Sequence, residues 1–336
     1  MSPIARPPSV VLLLMAYHGG HLSAPAQSVV SGPISGAVFD APSRSARAVV
    51  GMLGSASLGL PLSGHLDFAS ISPAGHAIGF RDDQCLVVSG LRSGELKEIA
   101  LPGCTDEVAE AVAWSPDGSV AILRKGNWFQ PISGLPKSPR AGIRSVLDAP
   151  VLSAIATGRD GSKKLIGVGG VRPGIYQVGD AGDLTLLFQI PLPKLLTSNA
   201  AGDAIYAWDE LSQSVYVWRP NFGEPEIHPL SPFKDPVALQ WALDDAGNQV
   251  LYVAGKKDRM LAVYDASRFE LLSRVELTFE PTTVEPLGGG AYLLAPRPAD
   301  GEPFWAFTNH GELKVHFVPA PPIAVGQFRT TEASSQ

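Results

Sequence analysis

Between residues 66 and 318 the chain alternates short apolar runs with polar, glycine-closed turns. The runs are Ala77-Ile78-Gly79-Phe80, Val120-Ala121-Ile122-Leu123, Lys164-Leu165-Ile166-Gly167-Val168, Ala204-Ile205-Tyr206-Ala207-Trp208, Val250-Leu251-Tyr252-Val253 and Tyr292-Leu293-Leu294. Runs of this length, rich in β-branched and aromatic residues and bounded by turn signals, predict strands. A turn precedes each of them: Ile71-Ser72-Pro73-Ala74-Gly75, Trp114-Ser115-Pro116-Asp117-Gly118, Thr157-Gly158-Arg159-Asp160-Gly161, Ser198-Asn199-Ala200-Ala201-Gly202 and Leu243-Asp244-Asp245-Ala246-Gly247, with a sixth closing at Gly289. The closing glycines step by 43, 43, 41, 45 and 42 residues, a period that points to propeller blades or helical arrays.

The turn chemistry separates these two. Proline presets φ at one corner, aspartate or asparagine suits the next, and glycine takes the left-handed position of a tight hairpin. A third strand follows at residues 84–88, 174–178, 214–218, 260–264 and 304–308, and a fourth at 95–101, 184–190, 270–277 and 312–318. Four antiparallel strands per period make a propeller blade. A helix has one place in this reading, residues 106–114, as a decoration between blades.

Six blades fit between residues 66 and 318, and the two ends supply a seventh. Ala37-Val38-Phe39-Asp40-Ala41-Pro42-Ser43 reads like Ala262-Val263-Tyr264-Asp265-Ala266-Ser267, the third strand and outer turn of a later blade. Residues 47–51 then form its fourth strand, 28–30 its second, and 322–328 its innermost, so amino- and carboxy-terminal strands close the ring in one blade. The expectation is an all-β, seven-bladed β-propeller; a six-bladed ring is the alternative.

The sequence Trp114-Ser115-Pro116-Asp117-Gly118 followed by an apolar strand resembles the bacterial TolB-type propeller repeat, a relative of the Trp-Asp and YVTN-like repeats. The resemblance covers roughly residues 66–318, with Ser-Pro kept at Ser72-Pro73 and Ser115-Pro116. It implies a scaffold rather than a reaction.

Composition narrows the setting. The 336 residues are 45% hydrophobic and only 17% charged, so the chain has the apolar content to fold. A net charge of -6 gives no basic surplus for phosphates and excludes nucleic acid as the expected partner. Arg6, the apolar stretch 10–17 and Ser23-Ala24-Pro25-Ala26 have the layout of a secretory signal over residues 1–26, leaving one propeller domain at 27–336. No apolar run is long enough to span a bilayer. The expected location is therefore the bacterial periplasm or the medium. Export lets Cys85 and Cys104 pair, because one begins a third strand and the other follows the adjacent fourth.

Catalytic signatures are missing: no Gly-x-Ser-x-Gly, no His-Glu-x-x-His, no phosphate loop and no Cys-x-x-Cys. His65, His76, His228, His310 and His316 stand singly, so no metal and no cofactor is expected. Charge gathers instead in the loops between second and third strands and between blades, which open on one face around the channel mouth. The candidate binding residues are Arg81, Asp82, Asp83, Lys125, Trp128, Arg172, Trp208, Asp209, Glu210, Lys256, Lys257, Asp258 and Arg259. The reading is an exported, monomeric, non-catalytic propeller that binds another exported protein, a glycan or a polar ligand through this face. The alternative is a lactonase-like hydrolase or lyase with a metal at the channel mouth. That enzyme needs acidic or histidine side chains at the inner-strand starts, and residues 110–112, 151–153 and 237–239 are mostly apolar or small.

Overall fold

The computed structural model describes residues 33–320 apart from 159–160, 231–232, 297–298 and 300. Every regular element among them is a strand, and the strands group into seven antiparallel sheets. Blade 1 contains β1 (Ile34–Asp40), β2 (Ser45–Val50) and β3 (Ser57–Ser63). Blade 2 contains β4 (Phe68–Ile71), β5 (Ala77–Arg81), β6 (Gln84–Ser89) and β7 (Lys97–Ala100). Blade 3 contains β8 (Ala111–Trp114), β9 (Ala121–Lys125) and β10 (Trp128–Ser133), with its outer strand broken into β11 (Arg140–Ala141) and β12 (Ser145–Val146). Blade 4 runs β13 (Val151–Thr157), β14 (Lys163–Val168), β15 (Gly174–Val178) and β16 (Leu184–Gln189). Blade 5 runs β17 (Pro193–Ser198), β18 (Ile205–Asp209), β19 (Ser214–Trp218) and β20 (Glu226–Pro229). Blade 6 runs β21 (Pro236–Leu243), β22 (Gln249–Gly255), β23 (Met260–Asp265) and β24 (Leu271–Glu276). Blade 7 runs β25 (Glu285–Gly288), β26 (Ala291–Ala295), β27 (Phe304–Asn309) and β28 (Leu313–Val318).

Packing turns these sheets into a closed ring. Apolar faces of neighbouring sheets bury against each other, and the described residues form seven apolar clusters, one in each seam. The seam between blades 1 and 7 holds Val38, Val49 and Leu58 against Leu287, Leu293, Phe304 and Val318. At its centre β1 packs on β4 to one side and β25 to the other. A Cβ on Gly36 would stand 2.6 Å from the Leu287 carbonyl oxygen, so this closure needs glycine. The molecule is a seven-bladed β-propeller.

Two expectations are corrected. Residues 37–43 are not a third strand and outer turn: β1 is the innermost strand of blade 1 and Ser45–Val50 the second. The reason is geometric. In an antiparallel blade the first and third hairpins lie on the same face, and both here are led by an aspartate: Asp40 accepts from the Ser43 hydroxyl, and Asp265 Oδ1 from the Ser267 and Arg268 amides at 2.8 Å. A shared turn chemistry therefore cannot say which hairpin it closes. Residues 28–30 and 322–328, assigned above to the same blade, lie outside the described residues, and β1 already holds the innermost position. The helix at 106–114 is also absent: Glu110 N–H donates to the Arg124 carbonyl at 3.0 Å and Ala111–Trp114 is a strand.

The inner hairpin turns interlock from blade to blade. His76, 3% exposed, bonds through Nε2 to the Gly118 carbonyl of the next blade at 2.8 Å and meets the Trp114 ring edge-on. Burial holds this imidazole below the ordinary histidine value, outweighing the Gly118 bond and the Asp117 charge. The unfolded chain therefore takes up the proton more readily than the native one. The stabilisation is full above about pH 6.5 and is lost as pH falls below it. The urea midpoint should drop between pH 7.5 and pH 5, and His76→Gln, which keeps a donor to Gly118, should show a smaller drop. An undiminished drop in the variant would place the titration elsewhere.

Candidate functional site

In these antiparallel blades the loops joining second to third strands and the connections between blades lie on the same face. Cys85 and Cys104 are disulfide-bonded, tying β6 to the connection that leads into blade 3. The thirteen candidate binding residues divide sharply in burial. Trp128 and Trp208 are 3% and 1% exposed and belong to the seams, and Asp209 is fully buried. Arg144 covers the Trp128 ring at 4.6 Å. These three lie inside the blades rather than on the face.

Several of the charges organise the loops themselves. Asp209 accepts the Leu192 amide at 2.6 Å and the Ser212 amide at 2.8 Å, joining the entry to its blade to the β18–β19 loop. Asp258 accepts the Lys234 amide in blade 6, Asp67 the Asp82 amide in blade 2, and Glu110 the Gly126 amide in blade 3. Four blades thus use a carboxylate to knit the inter-blade connection to the second loop. Arg81 is clamped to both oxygens of Glu98, to Ser63 Oγ and to the Gly64 carbonyl, and the pairing holds the Glu98 carboxyl below its usual range. Glu107 is held low by Lys125 at 3.2 Å and Arg144 at 2.6 Å.

What stays open to solvent is a smaller set on blades 2, 4, 5 and 6. Asp82 and Asp83 form the tip of blade 2 in the left-handed conformation. Arg172 tips blade 4, Glu210 pairs with Lys194 at 2.5 Å in blade 5, and Lys256, Lys257 and Arg259 project from blade 6. Among the described residues, only long, weak pairs restrain this last group: Lys256 and Arg259 to Glu280 at 3.8 and 3.9 Å, and Lys257 to Asp235 at 3.7 Å. The same loops carry apolar side chains that charge-based reading passes over. Val171 is 97% exposed beside Arg172, Leu211 is 75% exposed beside Glu210, and Met52 of blade 1 is 73% exposed. The visible signal for them was a lone apolar residue inside a polar loop.

Beneath the face runs the channel, lined by the inner strands. Along it lie two adjoining, overlapping chambers of about 450 and 440 Å³. Arg124 and Glu285 line both. Glu285 is reached by water yet enclosed by protein, and this burial raises its carboxyl against the bond from Thr283 Oγ1 at 2.9 Å. No group of three or more His, Cys, Asp or Glu is gathered around a common point among the described residues.

No family model and no curated protein matches the chain. Solved structures do. The β-propeller domain of Cps50 (Swd1) from Myceliophteria thermophila aligns with a TM-score of 0.56 at 13% identity, over 75% of this chain and 86% of that one. A chain of the mitotic checkpoint complex aligns at 0.52 and 14% identity, over 93% and 90%. The dihydro-heme d1 dehydrogenase NirN, in complex with DHE, aligns at 0.52 and 13% identity, over 89% and 76%. The likeness is one of fold. At such identities it carries no shared chemistry, and these neighbours include both a member of a protein assembly and an enzyme.

Proposed function

We propose that this chain is an exported, non-catalytic, monomeric propeller of TolB-like type that docks another exported protein on the loop face of blades 4 to 6. One observation carries the reading: adjacent loop tips present Val171 and Leu211 to solvent, flanked by Arg172, Glu210 and the weakly paired Lys256, Lys257 and Arg259. Apolar side chains rimmed by charge are what a protein interface uses, the first for burial and the second for orientation and encounter rate. A glycan would want a floor of exposed aromatic rings, whereas Trp128 and Trp208, the tryptophans expected at this face, are buried inside the blades. The disulfide and the lack of any helix among the described residues that could cross a membrane agree with export. The signal at residues 1–26 is outside the described residues.

The test is a photo-crosslinking side chain placed at Leu211 and, as control, at Phe222, 70% exposed in the β19–β20 loop on the opposite face. In living cells of the source, Leu211 should give a discrete protein adduct that Lys256→Ala/Lys257→Ala/Arg259→Ala abolishes, and Phe222 should give none. Equal labelling from both positions, or none from Leu211, overturns the assignment.

A further inference from the structure

We propose that the central channel is a binding site for a small organic monocarboxylate, its carboxylate held by Arg124 and its apolar body lodged in the larger chamber. This site is separate from the docking face and does not depend on it.

Three hydroxyls of the channel wall already bond within the fold. Ser70 Oγ accepts the Trp114 indole N–H at 2.9 Å, Ser153 Oγ donates to the Pro193 carbonyl at 2.7 Å, and Thr197 Oγ1 accepts the Trp241 amide at 3.2 Å. Arg124 differs from them. Its guanidinium has five donors, and among the described residues its hydrogen bond is a single long one, Nη1 to the Val151 carbonyl at 3.4 Å. Glu110, whose charge favours the guanidinium, turns its own Oε2 to the Gly126 amide. Burial disfavours the charged guanidinium, so a cation is kept partly desolvated with most of its fork unused. A planar fork of this kind matches a carboxylate in two parallel bonds.

Two further features set the ligand's class. Val112, Ile155, Leu195, Leu239 and Trp241 line the same chamber as Arg124, and its volume of about 450 Å³ falls within the range of small-molecule sites. Glu285 stands in both chambers, and among the described residues it forms no ion pair. A second negative group on the ligand would face that carboxyl, so the channel selects one anionic end attached to an apolar body.

Titration of 4-phenylbutyrate and, separately, of inorganic phosphate into the full mature chain would decide it, read by calorimetry and by emission of Trp114 and Trp241 on the chamber wall. Phenylbutyrate should bind saturably and raise the melting temperature, and phosphate should bind at least tenfold more weakly. Arg124→Gln should weaken phenylbutyrate at least tenfold, Arg124→Lys should retain part of the binding, and Glu285→Gln should tighten it. Equal affinity of wild type and Arg124→Gln, no binding of phenylbutyrate, or phosphate binding as tightly as phenylbutyrate overturns the proposal. Should Arg124→Gln fail to fold, Arg124→Lys and Glu285→Gln carry the same decision: unchanged affinity in both overturns it.

Discussion

Gly161→Ala should destabilise the protein by about 2–5 kcal/mol, a large loss for the addition of one methyl group. Two penalties act at once. Gly161 has φ +65°, where an L-residue other than glycine costs about 1–2 kcal/mol. Its added Cβ would stand 2.6 Å from Val120 Cβ and 3.1 Å from Ser115 Cβ, both in the inner hairpin of the preceding blade. Neither neighbour can swing away: Val120 is 8% exposed and β-branched, and Ser115 is fully buried with its hydroxyl bonded to Asp117. Forcing atoms into such a seam costs about 1–3 kcal/mol. Gly247→Ala supplies the comparison, because Gly247 has φ +81° but nothing within 4 Å of the new Cβ, so only the backbone penalty of about 1–2 kcal/mol applies. Urea midpoints for the two variants measure the difference. Equal losses would mean that the seam yields, and that the glycine serves its turn alone.

The period, the hairpins and the number of blades were legible in the sequence because turns at φ > 0 select glycine locally, and a local rule repeated at even spacing is visible in one dimension. Gly75, Gly118, Gly161, Gly202, Gly247 and Gly289 all have φ between +58° and +81°. A second role for three of them was not visible. A Cβ on Gly118 would stand 2.9 Å from His76 Cε1, and one on Gly202 2.9 Å from Thr157 Oγ1, as Gly161 meets Val120. These are contacts between repeats, about 40 residues apart, and no local pattern encodes them. The strand order of blade 1 was missed for a related reason: two hairpins on one face use the same aspartate-led turn, so residues 37–43 matched the wrong one. The face was misread more deeply. Charge in a loop is visible, but whether it meets solvent or an amide of the neighbouring connection is not. Asp209 and Asp258 spend their carboxylates on Leu192 and Lys234, while Val171 and Leu211 are the side chains that the loops expose.

Removing the disulfide is the second large effect. Cys85→Ala/Cys104→Ala should lower stability by about 3 kcal/mol, the chain-entropy value for a closed loop of about 20 residues. Part of the loss has a definite address. Cys85, 5% exposed, lies in the seam between blades 2 and 3 with Leu101, Leu123 and Trp128, and Cys104 packs against the same cluster. The chain leaving β7 is already folded back on β6, with Leu101 N–H donating to the Cys85 carbonyl at 2.9 Å and Cys104 N–H to the Leu101 carbonyl at 3.2 Å. The bridge therefore fastens the exit of blade 2 over the seam it shares with blade 3, closing one interface of the ring against local opening. Melting with and without reductant separates the bond from the side chains: reductant should lower the wild-type melting temperature and leave the double variant unchanged. Hydrogen exchange in the double variant should rise first at Ala121–Lys125 and Trp128–Ser133, which line that seam, and only later in blades 5 and 6. A uniform rise around the ring would show that the bridge acts on the unfolded chain alone, whereas a wild type that melts alike in both conditions would show that it does not hold this seam at all.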